Sequence, residues 1–229
     1  MRFPEFLKKN GTIGFAAPSF GCNREPYKTS FEHALEKFHS MGYQTTLGPN
    51  CFEGSGIGIS NTPEKCAAEL NKMYLSDEAD AIISCGGGEL MCEILDDVDF
   101  DAIKAAKPKW YMGYSDNTNF TFLLTTICDV ASIYGPCAGT FGMEPWDESI
   151  EDCFSLFTGK KLAMQSYPRW EKEGLRDEEH PLEPYNLTEQ SLVRSFMTKK
   201  DQAGEVQAFA AFGLLTGCVV GHDLAGKTL

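Results

Sequence analysis

Short apolar runs alternate with stretches whose apolar residues recur at helical spacing. Gly11-Thr-Ile-Gly-Phe-Ala-Ala-Pro-Ser19 reads as a first strand that enters a turn at Pro18. From Pro26 to Met41, Phe31, Ala34, Leu35 and Phe38 share one side and Glu32, Glu36 and Lys37 the other, which predicts an amphipathic helix. Gly42 is a natural stop for it, and Tyr43 to Leu47 is a short second strand. Glycines 54, 56 and 58 mark a loop. Thr62-Pro63-Glu64 then combines a capping residue with proline at the first helical position, opening a helix to about Leu75. Asp80 to Cys85 is apolar enough for a strand buried on both faces, and it ends in Gly86-Gly87-Gly88. Helices are expected at Glu89–Leu95, Phe100–Ala106, Asn117–Cys128 and Ser149–Thr158, with strands at Trp110–Met112 and in Ala131–Pro136. This alternation predicts an α/β fold, a parallel sheet flanked by helices.

After Gly159 the pattern changes. Residues 165–205 are polar and broken by Pro168, Gly174, Pro181, Pro184 and Gly204, and Val206 to Gly217 is again apolar and strand-like. The expected organisation is an α/β unit over residues 1–160, a linker over 161–205, and the start of a second, incomplete domain over 206–229. Apolar surface is expected from Val206 to Val220.

Composition narrows the function classes. The chain is 42% apolar and 23% charged, as ordinary globular proteins are, and its net charge is −13. That charge argues against nucleic acid, whose phosphates need a basic face, and offers an anionic membrane nothing. The N-terminus lacks a signal-peptide core and no run is long enough to span a bilayer. Nine cysteines without CxxC pairs fit reduced thiols, hence a cytoplasmic protein; Cys66, Cys92, Cys128 and Cys153 fall on helix-like segments as small core residues.

The chemistry gathers at Pro108-Lys-Trp-Tyr-Met-Gly-Tyr-Ser-Asp-Asn-Thr-Asn119. A strand runs into a tight corner at Gly113-Tyr114-Ser115-Asp116 and then into a helix. Ser115 would project from such a corner with a helix N-terminus behind it, the logic of the Gly-x-Ser-x-Gly nucleophile elbow, although the fifth position is Asn117. The N–H of Asp116 would then face an oxyanion. Ser115 or Asp116 could equally be a plain helix cap. The glycine loop at 86–88 could complete an oxyanion hole or be only a turn; no Gly-Lys-Ser/Thr follows to make it a phosphate loop. Because ligands bind beyond the carboxyl ends of parallel strands, the two loops would share one pocket if their strands are neighbours.

Gly14-Phe-Ala-Ala-Pro-Ser19, Ser84-Cys-Gly-Gly-Gly88, Lys109-Trp-Tyr-Met-Gly-Tyr-Ser-Asp-Asn-Thr118 and Tyr134-Gly-Pro136 together resemble the LD-carboxypeptidase family, the S66-type serine peptidases. Within that family the chain resembles the branch that includes the microcin C immunity hydrolases. The resemblance implies a cytoplasmic, commonly homodimeric hydrolase needing no metal or other cofactor. Its substrate would be an amide next to a D-amino acid in a murein peptide, or a peptidyl-nucleotide conjugate. Ser115 matches the nucleophile and the N–H groups of Gly87 and Asp116 the oxyanion hole. Trp170 falls where related hydrolases have aromatic substrate contacts, although a lone tryptophan is more often packing. The family's glutamate and histidine lie beyond the segment that Phe212-Gly-Leu-Leu-Thr-Gly217 resembles, so Ser115 has no matched base and an inactive form is one expectation.

Other candidates are weaker. His222 does not align with the family histidine, His33 and His39 lie on different faces of the first helix, and His180 sits in the polar segment. Glu89 follows the glycine loop and could approach the pocket. Two further readings stand beside the serine hydrolase. One is a cysteine hydrolase using Cys85, its thiolate favoured by a helix N-terminus. The other is a non-catalytic module that binds a peptide or nucleotide through the glycine loop.

Overall fold

The computed structural model describes residues 1–191 and the strand backbone at 194–200, 206–212 and 219–220. The first part is β1 (Thr12–Ala16), α1 (Tyr27–Ser40), β2 (Gln44–Leu47), α2 (Pro63–Leu75), β3 (Ala81–Ser84), α3 (Phe100–Ala105), β4 (Trp110–Met112), α4 (Thr118–Thr126), β5 (Ile133–Tyr134) and α5 (Glu148–Phe157). β6 (Arg169–Trp170), β7 (Glu189–Gln190), β8 (Arg194–Lys200), β9 (Val206–Phe212) and β10 (Val219–Val220) follow. The main sheet runs β10-β5-β4-β3-β1-β2. Its first five strands in the chain are mutually parallel, and β10 joins β5 antiparallel at one edge.

Both faces of the sheet are covered, and the strands show why. Ile13 and Phe15 of β1, Ala81 and Ile83 of β3, and Trp110 and Met112 of β4 enter one core with Phe31 and Phe38 of α1 and Phe154 and Phe157 of α5. Ala16, Ile82 and Tyr111 point the other way, into a core with Leu70 and Tyr74 of α2, Ile103 of α3 and Phe120 and Leu124 of α4. Each fully buried Phe, Leu or Ile contributes about 1.5–3 kcal/mol. A one-residue slip would exchange the two faces of a strand, so the register Ile83↔Met112 between β3 and β4 is strongly determined.

Helix ends follow local chemistry. Gly42 takes a φ of 90°, and its N–H reaches His39 O at 2.9 Å to close α1. Pro63 opens α2 as expected, but the Thr62 side chain makes no capping bond. The stretch expected as a helix at Glu89–Leu95 is a 3₁₀ turn at Met91–Asp97. A second 3₁₀ turn, Ala138–Gly142, packs on α1 and has no counterpart in the sequence reading. Arg2 donates to the carbonyls of Ala106 at 3.0 Å and Cys128 at 3.2 Å, tying the N-terminus to the ends of α3 and α4.

Within the stretch expected as a linker, β6 pairs with β7, and β8 pairs with β9 across the expected boundary at residue 205. The expectation of exposed apolar surface at 206–220 concerns side chains outside the described residues. Among the described residues Cys22, Cys51, Cys66, Cys85, Cys92, Cys128 and Cys137 are free. Cys92 is exposed, not a core residue, because the 3₁₀ turn aims it outward. Among the described residues no helix is long and apolar enough to cross a membrane.

Candidate active site

β1, β3 and β4 are neighbours in the middle of the sheet, so the loops leaving their carboxyl ends meet. Gly113 ends β4, and a Cβ there would lie 2.7 Å from Asn117 Cγ. Its absence lets the chain fold back over Asn117. Ser115 follows at φ 60°, in the left-handed region that costs a non-glycine residue about 1–3 kcal/mol. A 3₁₀ turn, Ser115–Asn117, then leads into α4. The Ser115 side chain is exposed above this corner.

The strained turn is held from several sides. The Ser115 N–H donates to Tyr134 Oη at 3.2 Å, and Thr118 Oγ1 donates to the Ser115 carbonyl at 2.6 Å. Asn117 is fully buried. Its Oδ1 accepts from Tyr111 Oη at 2.5 Å, while its Nδ2 donates to the carbonyls of Gly86 at 2.9 Å and Tyr114 at 3.2 Å. An asparagine therefore stands at the fifth elbow position for a reason: its amide joins the elbow to the glycine loop, which a glycine there could not do.

Gly87 lies directly against the serine. A Cβ on Gly87 would be 3.2 Å from Ser115 Cβ and 3.4 Å from Ser115 Oγ. The Gly87 carbonyl points the other way and accepts the Phe20 N–H at 2.7 Å, which anchors the glycine loop to the loop after β1. Gly88 needs its φ of 146° and would collide with Ser19 and Gly58 if it carried a side chain.

Asp116 has a second feature besides its backbone. Its carboxylate Oδ2 accepts the Ser19 hydroxyl at 2.5 Å and the Met91 N–H at 2.8 Å, and its Oδ1 accepts Asn119 Nδ2 at 2.9 Å. Beside the elbow, Tyr114 donates to or accepts from Thr140 Oγ1 at 3.2 Å, and burial pushes its hydroxyl up to about 12. It stays a neutral phenol near pH 7. Ser19 and Tyr134 thus join the site without having been singled out from the sequence, and Asn117 joins it where the sequence showed only a departure from the elbow pattern. Ser19 and Tyr134 lie inside the quoted motifs, but only the strand order brings them to Ser115.

The remaining candidates make other contacts. Trp170 is half-buried in the ribbon of β6 and β7, opposite Glu189. Glu89 is exposed, with its N–H on Gly58 O at 3.1 Å. His33 Nδ1 meets Gly142 O, His39 Nε2 meets Thr45 Oγ1, both at 2.8 Å, and His180 Nδ1 meets Asp177 Oδ1 at 3.0 Å. His222 lies outside the described residues. Cys85 is a correction: it is only 2% exposed, its side chain enters the core, and burial among Cys51 and Cys22 pushes its thiol well up. A buried thiol held protonated is not a nucleophile. Among the described residues no cluster of three or more His, Cys, Asp or Glu side chains is placed to hold a metal ion.

Known proteins resemble this chain in sequence and in fold. The chain is 27% identical over 224 residues to the microcin C7 self-immunity protein MccF of Escherichia coli, covering 95% of this chain and 60% of that protein. It is 29% identical over 140 residues to the probable murein peptide carboxypeptidase of Bacillus subtilis, covering 60% of this chain and 41% of that one. The structure of MccF in complex with aspartyl sulfamoyl adenosine superposes with a TM-score of 0.73 at 24% identity, over 86% of this chain and 59% of that one. An MccF-like protein from Bacillus anthracis superposes with a TM-score of 0.71 at 19% identity, over 84% and 58%. At such identities the superpositions speak for the fold, and the chain spans about 60% of the length of MccF. The profile of the LD-carboxypeptidase N-terminal domain matches residues 13–135, which is more than half of the chain and runs from β1 to just past β5; the chain belongs to the LD-carboxypeptidase family.

Proposed function

We propose that this chain carries the nucleophile of a serine peptidase or amidohydrolase of LD-carboxypeptidase type. Ser115 Oγ attacks the carbonyl carbon of an amide, and the amine leaves with a proton as the acyl-enzyme forms. Water then cleaves the ester. The N–H groups of Gly87 and Asp116 hold the oxyanion of each tetrahedral intermediate, and one such donor is worth roughly 10²–10³ in rate. The observation that carries this reading is Ser115 at φ 60° with the side-chain-free Gly87 against its Oγ. A mere helix cap needs neither the strained backbone nor that approach.

A serine needs a base to become a strong nucleophile, and the histidine contacts at His33, His39 and His180 lead away from Ser115. The family resemblance assigns the base and the acid behind it to a histidine and a glutamate that lie past the segment matched by residues 212–217. In the same reading, residues 1–160 form the nucleophile-bearing unit and later residues contribute to a second domain. The substrate is an amide next to a D-amino acid, in a murein peptide or a peptidyl-nucleotide conjugate. The family, and the chain's likeness to a probable murein peptide carboxypeptidase and to MccF in complex with aspartyl sulfamoyl adenosine, favour these two. Trp170 would contact that substrate, and the working protein would be a cytoplasmic homodimer without a cofactor.

The test is mass spectrometry after a serine-directed fluorophosphonate probe, with Ser115→Ala as the control. A single adduct on Ser115 supports an activated elbow. A folded chain that takes no adduct, yet binds a murein peptide or nucleotide conjugate equally well with and without Ser115→Ala, favours the non-catalytic binding module.

A further inference from the structure

Residues 172–180 are all exposed except Arg176, which turns inward and is half-buried. Leu175 beside it is 51% exposed. An apolar side chain left in water next to a guanidinium drawn out of it reverses the ordinary preference. The segment is anchored at several points. Glu171 Oε2 accepts the Asn186 N–H at 2.7 Å, Asn186 Nδ2 donates to Glu173 O at 3.0 Å, and the Leu182 carbonyl accepts the Glu144 N–H at 2.9 Å. Asp177, the neighbouring acid, is taken up by His180, whose backbone N–H and Nδ1 both meet its Oδ1.

The Arg176 guanidinium lies over the Tyr27 ring, 5.6 Å from its centre. Tyr27 meets Phe20 edge to face at 5.4 Å. Phe20 in turn packs on the glycine loop: its N–H donates to Gly87 O, and its ring would lie 2.9 Å from a Cβ on Gly86. Burial raises the hydroxyls of Tyr114, the residue before Ser115, and of Tyr185, and the Arg176 charge acts on both in the opposite sense. Arg176 therefore borders the elbow as well as the glycine loop. The chain has 33 Asp and Glu against 20 Lys and Arg, so carboxylates are plentiful. Even so, Arg176 has no carboxylate partner and no hydrogen-bond acceptor among the described residues. Packing on Tyr27 alone leaves its N–H donors unused.

A guanidinium with a free fork matches a carboxylate in two parallel hydrogen bonds. A carboxypeptidase cuts the last amide of a peptide, so the leaving residue carries a free carboxylate close to the attacked carbonyl. We propose that Arg176 binds this terminal carboxylate and so selects peptides in which the D-amino acid is the last residue, an inference that rests on the proposed reaction at Ser115. Tyr27 is the positioning residue that holds the guanidinium beside the glycine loop.

Isothermal titration calorimetry on the Ser115→Ala chain, which cannot turn substrate over, tests it with Nα,Nε-diacetyl-L-lysyl-D-alanine and its C-terminal amide. The acid should bind about tenfold more tightly than the amide, a preference that Arg176→Gln abolishes and Arg176→Lys retains only in part. Lys172→Gln removes a charge from the same exposed segment and should leave the preference intact. If Arg176→Gln fails to fold, Arg176→Lys and the acid-to-amide ratio decide. Equal binding of acid and amide, or no saturable binding of either at millimolar concentration, overturns the proposal. So does a preference that survives Arg176→Gln, or that falls as far with Lys172→Gln. Adenosine monophosphate against adenosine puts the same question to a phosphate, and an effect of Arg176→Gln confined to the monophosphate overturns the carboxylate assignment. Fluorophosphonate labelling of the wild-type chain is read separately. An adduct on Ser115 without an acid preference sinks this inference alone, whereas an acid preference without an adduct sinks the reaction at Ser115 and leaves the carboxylate site standing.

Discussion

Ser19 donates its hydroxyl to Asp116 Oδ2 at 2.5 Å, joining the loop after β1 to the turn that carries Ser115. The same oxygen takes the Met91 N–H, so one carboxylate fixes three loops at the carboxyl ends of β1, β3 and β4. Asp116→Ala should orphan all these donors and cost about 1–3 kcal/mol for each that stays buried. Ser19→Ala removes a single bond to a carboxylate, worth about 1.5–3 kcal/mol. Urea midpoints should therefore rank wild type above Ser19→Ala above Asp116→Ala, and the rate of fluorophosphonate labelling should follow the same order. Equal midpoints for the two variants would show that the carboxylate is not a shared anchor.

The backbone of Ser115 separates strain from chemistry. Glycine adopts a φ of 60° without penalty, whereas alanine does not. Ser115→Gly and Ser115→Ala should both lose covalent labelling, but the glycine variant should be more stable than the alanine variant by about 1 kcal/mol. Thermal unfolding of the pair measures this directly. A less stable glycine variant would mean that the positive φ is not held in solution.

Gly87 and Gly88 adjoin each other yet should fail differently. Alanine at 87 meets Ser115 Cβ at 3.2 Å, tight but open to small adjustment, so folding should survive while the serine is pushed from its place. Labelling of Gly87→Ala should fall by about 10²-fold or more, as when an oxyanion-hole donor is lost. Alanine at 88 must adopt φ 146° and collide with Ser19 and the Gly58 backbone, so Gly88→Ala should lose several kcal/mol of stability. Circular dichroism melts alongside labelling kinetics distinguish the two outcomes.

What could be read from residues alone was whatever local pattern decides. β3 and β4 were legible because their residues are apolar on both faces, and α1 because Phe31, Ala34 and Phe38 recur on one side before Gly42. The turn at Ala138–Gly142 was not, because the need for glycine at 142 comes from the carbonyl of Ser30 on α1, far away in sequence. Asn117 looked like a departure from an elbow pattern, and its hydrogen bond to the Gly86 carbonyl exists only once β3 and β4 are paired. Cys85 was correctly placed at the end of a strand, but its thiol does not face the helix N-terminus that was to activate it. Period-two alternation, with Ala81 and Ile83 in the core beneath α1 and α5, sends Cys85 there too.

Glu69 should leave a signature in the pH dependence of stability. Burial pushes its carboxyl from 4.5 up to about 7, only partly offset by hydrogen bonds from the Ala17 N–H, Asn50 and Cys51. In the window between those values the folded chain keeps a proton that the unfolded chain releases. The contribution is therefore fully present below about pH 4.5, is lost as pH rises toward 7, and is flat above it. At about 1.4 kcal/mol per unit, the loss across the window is about 3 kcal/mol. Glu69→Gln has no proton to release, so the difference in unfolding free energy between wild type and variant should shift by that amount between pH 4.5 and 7.5 in the variant's favour. Taking the difference cancels every group that titrates alike in the two proteins. A difference that stays constant across this range would mean that Glu69 is solvated in solution.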